Sequence, residues 1–504
     1  KLGKKKFKKN FSFLRLTLDE YEDYKCINKI FRHFYPKINF KLHDIIKLYE
    51  KKPNIFRPNM SIKRDEGSLM NTGNKMWKRA LKSLPNGNMF FSKNPNLTLP
   101  NLWPTYFSKA KGYKIWDLDN KLLNDFYLMG VGTNLLGYAN KEVDNAVIKN
   151  IQKSNMSSLN SVEEILLAEK LINLHPWSNY AAFARTGGEA NSMAIRIGRA
   201  YAKKDKIAIC GYHGWHDWYL AANLKNSKKL DQHLLSGLKT NGVAKNLSGS
   251  TLSFNYNDFN SFEKIIKNNN DVGVVIMEVM RNEPPKDNFL KKIRDVCKKK
   301  KIILIFDECS SGFRENFGGL HLNFNVNPDI CMFGKALGNG YAITALVGKE
   351  QIMKKARESF ISSTFWSERV GYTAALKTLE IMDRIKSWKK VSKLGSDVKK
   401  IWKNLSKSYE LDINIGGLNA IPNFSFNSKK HLKYKTYLTQ EMLKHKILAS
   451  NVVYMSVAHD RKIMKDYKDK ITKIFAEIKD CENGKSIDKL LQTKVCQSTF
   501  KRLN

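Results

Sequence analysis

Short apolar runs alternate with amphipathic segments from about residue 160 onward. Six runs of β-branched and other apolar residues are expected to form strands, near residues 181–185, 206–210, 273–278, 302–307, 330–334 and 342–347. The segments between them carry apolar residues at helical spacing. Strands that alternate with helices predict a parallel sheet with crossover helices, in which ligands bind beyond the carboxyl ends of the strands.

The segments before residue 160 carry weaker patterns. Tyr113–Trp116 and Leu122–Tyr127 predict a hairpin around a turn at Asp117–Asn120. Three glycines then follow between residues 130 and 137, but they miss the GxGxxG spacing, which argues against a dinucleotide site.

Residues 13–66 are expected to form a separate piece. FLRLTLDEYEDY predicts a short strand and then a helix with Asp19 as its N-cap and Glu22 as the capping-box partner. A second helix is predicted over residues 42–51, where Pro53 stops it. We predict four parts: 1–66, an Asn-, Pro- and Ser-rich arm over 67–115, a large domain over 116–385, and a smaller α+β lobe over 386–504.

The composition narrows the class of protein. The chain has 504 residues and a formal net charge of +41, mostly from Lys spread along its length. Such a charge suits nucleic-acid binding, but the sequence holds no recognised nucleic-acid module, so we interpret the excess as coding bias and do not expect that partner. The dense cluster over Lys1–Lys9 is interpreted as a solvated tail.

The seven cysteines are scattered and include no CxxC pair. This pattern indicates a reducing compartment and neither a disulfide framework nor a zinc site. No apolar run approaches the roughly 18 residues that a membrane-spanning helix needs. We therefore expect a cytoplasmic protein without a membrane partner.

Two residues at predicted strand ends carry candidate chemistry. The run IILIF ends in Asp307, and the next apolar run leads to Lys335. A carboxylate that protonates a pyridine nitrogen and an amine that forms a Schiff base are what pyridoxal phosphate requires. An apolar strand ending in Asp-Glu is also typical of ATPases, but these need a GxxxxGK[ST] loop, and Gly348-Lys349-Glu350 does not provide one.

Other strand ends supply further candidates. Thr186-Gly187-Gly188 joins a strand to a helix that begins near Glu189, and free N–H groups at such a helix start bind phosphate, although a plain glycine turn fits the same letters. Tyr212 can stack on a planar cofactor. His213 and His216 resemble a metal pair, but no third ligand has a suitable spacing, so no metal is expected.

Five motifs in order, TGGEA, YHGWHD, IFDECSSGFR, FGKALGNGY and STFWSE, closely resemble class III pyridoxal-phosphate aminotransferases of the glutamate-1-semialdehyde aminomutase group. The resemblance covers residues 85–504 and implies an α/β, fold-type-I homodimer with its active site at the subunit interface. It implies Lys335 and Asp307 as the catalytic residues. The cofactor-binding set that it implies is Gly187, Gly188, Tyr212, His213, Glu278, Asp307, Cys309, Lys335 and Thr364, with Thr364 reaching the partner's phosphate.

The chain departs from that family pattern at two places. Gly188 stands where the family usually has a hydroxyl residue. The region that supplies the aminomutase with a carboxylate-binding Arg is here LPNGNMFFSKNPN, which contains none. A bidentate arginine contact from that region is therefore not expected, which favours a relative of the aminomutase over the aminomutase itself.

The N-terminal piece resembles the C-terminal end of cytidylyltransferases of the spore-coat polysaccharide type, through RLTLDEYEDY, IFRHFYP and IKRDEG, with Asp19 matching a metal-binding aspartate. We expect an aminotransferase that moves an amino group from a small-molecule donor to an aldehyde or ketone, a precursor of a surface polysaccharide. The alternatives are glutamate-1-semialdehyde 2,1-aminomutase, a non-catalytic scaffold and a nucleic-acid-binding protein.

Overall fold

The computed structural model describes residues 11, 14–18, 21–60, 71–233 and 236–498. The chain forms two compact units, Lys1–Lys82 and Ser83–Asn504. The predicted boundaries at residues 66, 115 and 385 stay predictions.

The first unit is helical. Its helices are α1 (Tyr21–Phe34), α2 (Leu42–Lys51), α3 (Arg57–Met60) and α4 (Thr72–Ser83), the last of which ends at the boundary between the units. Helix α2 has the predicted bounds. Helix α4 was not predicted, because the Asn- and Pro-rich composition of residues 67–110 outweighed the periodicity of TGNKMWKRALKS; Asn71 stabilises its start by accepting a hydrogen bond from the Asn74 amide at 2.8 Å.

The strand predicted from FLRLTL is absent from described residues 14–18. The polar groups of Arg15 in this segment form hydrogen bonds with residues of helices α1 and α3, and not with a neighbouring strand. The Arg15 guanidinium donates to Asp23 at 2.8 and 2.9 Å, and Asn59 Nδ2 donates to the Arg15 carbonyl at 3.0 Å. Asp19, the predicted N-cap and metal-matching residue, lies outside the described residues.

The second unit contains all the strands of the described chain. They are β1 (Phe107–Lys111), β2 (Lys114–Asp117), β3 (Leu122–Asp125), β4 (Tyr180–Ala184), β5 (Lys206–Cys210), β6 (Thr251–Ser253), β7 (Val272–Glu278), β8 (Ile303–Glu308), β9 (Ile330–Phe333), β10 (Thr344–Gly348), β11 (Ile413–Gly416), β12 (Asn423–Phe426) and β13 (Ile447–Leu448).

Helices cover this unit. They are α5 (Lys141–Ile151), α6 (Val162–Leu174), α7 (Gly187–Ala202), α8 (Asp217–Leu220), α9 (Phe259–Asn268), α10 (Phe289–Lys300), α11 (Glu350–Met353), α12 (Arg369–Ile385), α13 (Ser387–Ser408), α14 (His431–Lys444) and α15 (Arg461–Glu482). None of the helices among the described residues is long and apolar enough to cross a membrane.

A seven-stranded sheet in the order β4-β10-β9-β8-β7-β5-β6 forms the centre of the unit. Strand β10 runs antiparallel to both of its neighbours, and the other pairs are parallel. Every residue of β7, β8, β9 and β10 is buried. This burial on both faces explains why these strands read as continuous apolar runs without alternation.

A second, four-stranded sheet has the order β1-β2-β3-β13. Strands β2 and β3 form the predicted hairpin, and β13 joins β3 in parallel. Toward the C-terminus the chain adds α13, the β11–β12 hairpin, α14 and α15. The fully buried Trp402 of α13 packs against Phe424 of β12 and donates to the Tyr467 hydroxyl of α15 at 2.8 Å.

All six predicted strands of the central sheet are confirmed, with bounds within two residues at each end. Strand β6 was missed because its three residues follow a long polar loop. The helix predicted near Glu189 begins at Gly187, since Thr186 is its N-cap and Glu189 completes the capping box.

Candidate functional site

Apart from Thr364, the predicted site residues lie at the carboxyl edge of the central sheet. Asp307 is the last residue but one of strand β8 and Glu278 is the last residue of β7, and these two residues are register partners on adjacent parallel strands. Strand β9 leads to Lys335, and β5 leads to Tyr212. These predicted residues therefore lie at one edge of the sheet, because parallel strands have their carboxyl ends on the same side.

Asp307 is 4% exposed and carries three hydrogen bonds. Its Oδ2 accepts from His213 Nδ1 and from Asn191 Nδ2, both at 2.8 Å, and its Oδ1 accepts from the Cys309 amide at 3.1 Å. Burial acts to raise the pKa of Asp307, but the hydrogen bond and charge of His213, with the other two donors, hold it below its ordinary value. The carboxylate is thus kept ionised in a buried place.

Lys335 follows β9 in a left-handed backbone conformation, with φ at +43°. Such a conformation is unusual for a residue with a side chain and is characteristic of functional sites. The Lys335 ammonium donates to Ser310 Oγ at 2.5 Å. Ser310 was not singled out from the sequence, although it lies three residues beyond Asp307 in the same motif.

The start of α7 presents backbone amides that can bind an anion. The Thr186 hydroxyl caps the Glu189 amide, and the Gly187 and Gly188 amides donate to no group in the described chain. A Cβ on Gly188 would lie 2.4 Å from Cε1 of His216. The His216 ring thus fills the space of the missing hydroxyl side chain, and its Nδ1 is buried without a hydrogen-bond partner among the described residues.

Cys309 and Tyr212 lie beside these groups. A Cβ on Gly187 would be 3.4 Å from Cys309 Sγ, so the sulfur lies next to the start of α7. Burial raises the pKa of the Cys309 thiol to about 11, which keeps it neutral and suited to apolar contact. Burial also raises the pKa of Tyr212. Its ring packs edge-on against the Tyr219 ring, with 5.9 Å between the ring centres.

Glu278 links Tyr212 to an arginine that sequence reasoning missed. Its Oε2 accepts from the Tyr212 amide at 3.1 Å. Its Oε1 accepts from Arg281 Nε at 3.1 Å and Nη2 at 2.5 Å. The only sequence signal for Arg281 was its position just beyond the end of a buried strand.

Thr364 is exposed and makes no hydrogen bond to the other predicted residues within the described chain. It begins a short 3₁₀ helix over Thr364–Ser367. Phe365 within this helix is 67% exposed, and Phe360, four residues before Thr364, is 88% exposed. The role that the resemblance implies for Thr364, a contact with a partner subunit, stays a prediction.

His213 Nδ1 pairs with Asp307 Oδ2 at 2.8 Å, whereas His216 Nδ1 is buried without a hydrogen-bond partner among the described residues. The expectation that these two histidines bind no metal stays a prediction. The described residues do bring Glu308, His321 and Cys331 within metal-ligand range of one another. The Glu308 carboxylate already accepts from His321 Nδ1 at 2.6 Å and from Ser311 Oγ at 2.9 Å, and Trp177 Nε1 donates to His321 Nε2 at 3.1 Å. This is a satisfied buried network beneath the site.

These groups fit pyridoxal phosphate. The unpaired amides at the start of α7 suit its phosphate, the ionised Asp307 suits a protonated pyridine nitrogen, and the Lys335 amine suits its aldehyde. Two sets of polar groups that lack hydrogen-bond partners among the described residues support this fit: the amides of Gly187 and Gly188, and the buried Nδ1 of His216.

The curated relatives agree with this chemistry. The chain is 33% identical over 382 residues to a 3-aminobutyryl-CoA aminotransferase of Cloacimonas acidaminovorans, a match that covers 73% of this chain and 87% of the relative. It is 34% identical over 327 residues to a glutamate-1-semialdehyde 2,1-aminomutase of Nitrosopumilus maritimus, covering 63% of this chain and 74% of the relative.

Solved structures share the fold. The FumI protein of Sphingopyxis sp. MTA144, solved with PLP, superposes with a TM-score of 0.74 at 22% identity, covering 83% of this chain and 99% of that one. An omega-transaminase from Sphaerobacter thermophilus gives 0.72 at 20% identity, with 82% and 99% covered. The predicted fold-type-I architecture is thereby confirmed.

The family model that describes class-III aminotransferases matches residues 100–478. This range contains every predicted site residue. The chain therefore belongs to the class-III aminotransferases and is an enzyme that depends on pyridoxal phosphate.

Proposed function

We propose that this enzyme transfers an amino group from a small-molecule amine to an aldehyde or ketone. The observation that carries the proposal is the pairing of Lys335 Nζ with Ser310 Oγ, three residues from the buried, ionised Asp307. A lysine held in this way is oriented to act on a carbon next to the cofactor ring.

Pyridoxal phosphate, when bound, supplies an electron sink for charge that develops on the substrate carbon. In the proposal, Asp307 would hold the proton on the ring nitrogen, and the Gly187 and Gly188 amides would bind the phosphate. Tyr212 and Cys309 would lie against the ring. Lys335 Nζ would take the proton from the substrate carbon as general base and give it up as general acid. Ser310 would orient Lys335 Nζ through its hydroxyl.

We propose a homodimer whose sites lie at the subunit interface. Trp215 is 73% exposed, and Phe360 and Phe365, which lie on either side of Thr364 in the sequence, are exposed as well. Large exposed aromatic residues near a functional segment are characteristic of a protein interface. The partner's copy of this segment would complete the phosphate site.

The proposed acceptor is an oxo-sugar or another precursor of a surface polysaccharide. The cytidylyltransferase resemblance of residues 13–66 supports this assignment, as does the lack of arginine in residues 84–96. All seven cysteines are unpaired, which supports the expected cytoplasmic location. The relatives also make glutamate-1-semialdehyde 2,1-aminomutase a second candidate function.

A half-reaction screen tests the proposal. Amines, including amino sugars, are added to the holoenzyme while the visible cofactor band is followed, and a true amino donor bleaches it. Oxo-sugars and glutamate 1-semialdehyde are then added to the bleached enzyme, and the compound that restores the band identifies the acceptor class. A holoenzyme that no amine bleaches would overturn the proposed function.

A further inference from the structure

We propose that Arg281 and Arg314 form an anion subsite beside the reacting lysine, which binds a carboxylate or phosphate group of the substrate. This inference rests on the proposed function and adds a chemical class to it: the amine donor or oxo acceptor carries an acidic group. The two arginines lie in the loops after different strands and are linked to the site by different contacts.

Arg281 lies three residues beyond the end of β7. The Glu278 carboxylate engages two of its five N–H donors, through Nε and Nη2. The other three have no hydrogen-bond partner among the described residues, and the side chain is 26% exposed. Glu278 therefore fixes the orientation of the guanidinium and leaves its remaining donors open to a ligand.

Arg281 is connected to the predicted cofactor residues through Glu278. Glu278 holds Arg281 with one oxygen and the Tyr212 backbone amide with the other. Glu278 is also the register partner of Asp307. A guanidinium fixed at this point lies beside Tyr212, the predicted ring-stacking residue.

Arg314 differs from Arg281, because no carboxylate among the described residues neutralises its buried charge. It is fully buried, and among the described residues it forms no ion pair with a carboxylate. Its Nε donates to the Ser310 carbonyl at 2.6 Å and its Nη2 donates to the Gly132 carbonyl. Its Nη1 is buried and has no hydrogen-bond partner in the part of the chain that the structure describes.

An uncompensated buried charge is costly for a protein. Burial lowers the pKa of Arg314 to about 10, which still leaves it charged at neutral pH. A bound anion would supply the missing counter-charge. Ser310 places this cation close to the reacting nitrogen, because its carbonyl accepts from Arg314 and its hydroxyl accepts from Lys335.

Tyr454 connects this place to a cavity. The Arg314 guanidinium lies 5.7 Å from the centre of the Tyr454 ring, and Tyr454 also lines a cavity of about 380 Å³. Tyr127 and Asn451 are further lining residues. The cavity gives room for the rest of a substrate whose acidic group reaches the arginines.

Residues 84–96 lack the arginine that, by the family resemblance, binds the substrate carboxylate in the aminomutase. In this chain the positive charges come instead from the loops that follow β7 and β8. The acidic group would thus be held on the side of Glu278 and Ser310.

The test compares wild-type holoenzyme with Arg281→Gln, Arg281→Lys and the surface control Arg384→Gln, whose guanidinium is paired with Glu142 and 52% exposed. Amines are used in matched pairs that differ in the acidic group: 3-aminobutanoate against 2-aminobutane, and 2-aminoethyl phosphate against ethanolamine. The half-saturating concentration for bleaching of the cofactor band is measured for each. The two pairs distinguish carboxylate from phosphate recognition.

Wild type should favour the acidic member of at least one pair. Arg281→Gln should weaken that member about ten- to hundredfold and leave the neutral member within about twofold, because a charge-assisted hydrogen bond is lost. Arg281→Lys should recover part of the loss, and Arg384→Gln should match wild type. Equal losses for acidic and neutral amines, or no preference in wild type, would overturn the inference.

Calorimetric titration of the holoenzyme with butanoate and with inorganic phosphate separates this inference from the proposed function. Neither ligand has an amine, so the measurement does not depend on transfer. Binding of one of them by wild type, weakened tenfold or more by Arg281→Gln, supports the subsite even where no amine bleaches the cofactor. Binding that the substitution leaves unchanged, or no binding, contradicts it.

Discussion

His213 Nδ1 lies 2.8 Å from Asp307 Oδ2, and both side chains are buried at the carboxyl edge of the central sheet. This contact keeps a carboxylate ionised where burial alone would favour its neutral form. The pairing also shows what His213 contacts, a residue that the family resemblance placed among the cofactor-binding residues.

His213→Leu should move the acid limit of the half-reaction to higher pH. The pKa of Asp307 is held below its ordinary value, so the ionised form persists until the pH falls through that low value. Without the His213 donor, burial dominates and the pKa rises. The bleaching rate with one amine is measured against pH. His213→Asn, whose amide can replace Nδ1, should lie between the two, and an unchanged profile for His213→Leu would contradict this role.

Lys335→Ala should lower the rate of cofactor bleaching by about a hundredfold to ten-thousandfold, since general acid–base catalysis contributes that much. Stopped-flow absorbance with a reactive amine measures the effect. Lys291→Ala serves as the control, because Lys291 is 68% exposed and paired with Asp295. Retention of a borohydride-sensitive visible band by the purified Lys335→Ala protein would show that another residue carries the cofactor.

Ser310→Ala should slow the half-reaction about two- to tenfold without loss of bound cofactor, because one hydrogen bond that orients Lys335 Nζ is removed. Cofactor content is measured by absorbance after alkaline release, and the rate by bleaching. Ser310→Thr retains the hydroxyl and should recover much of the rate. A large loss of cofactor in Ser310→Ala would instead indicate that Ser310 acts mainly in binding.

Gly188→Ser should weaken cofactor binding, although it restores the residue type usual in the family. Its Cβ would lie 2.4 Å from Cε1 and 2.6 Å from Nδ1 of His216, so the ring must move. The dissociation constant is measured by titrating apoenzyme with pyridoxal phosphate. The double variant Gly188→Ser/His216→Ala should bind better than Gly188→Ser alone, as expected for residues that share one space. Independent, additive effects would refute that view.

Gly395→Ala should destabilise the enzyme by about 1–3 kcal/mol, the usual cost of overpacking. A Cβ there would lie 1.6 Å from the Asn419 carbonyl oxygen, which is backbone and cannot rotate away. Thermal unfolding monitored by circular dichroism measures the loss. Lys400→Ala, on the same helix and 73% exposed, should leave Tm nearly unchanged. Equal melting temperatures for the two variants would show that the helix shifts at little cost.

The sequence by itself determined six of the seven strands of the central sheet, and it predicted the cofactor residues. The strand that carries Asp307 and the strand that leads to Lys335 are buried on both faces, so continuous apolar runs mark them. The turn before α7 is a local signal, since Thr186 and Glu189 cap the helix within four residues. Local patterns of this kind do not depend on the rest of the chain.

Only the tertiary structure decided which residues support those predicted from the sequence. The contact between His216 and Gly188, and the placing of Arg314 beside Ser310 and Gly132, depend on the register of parallel strands and the paths of the loops between them. Sequence spacing does not specify either, because residues far apart in the chain meet there. The sequence therefore predicted the lysine and the aspartate, and packing decided which histidine, serine and arginines lie near them.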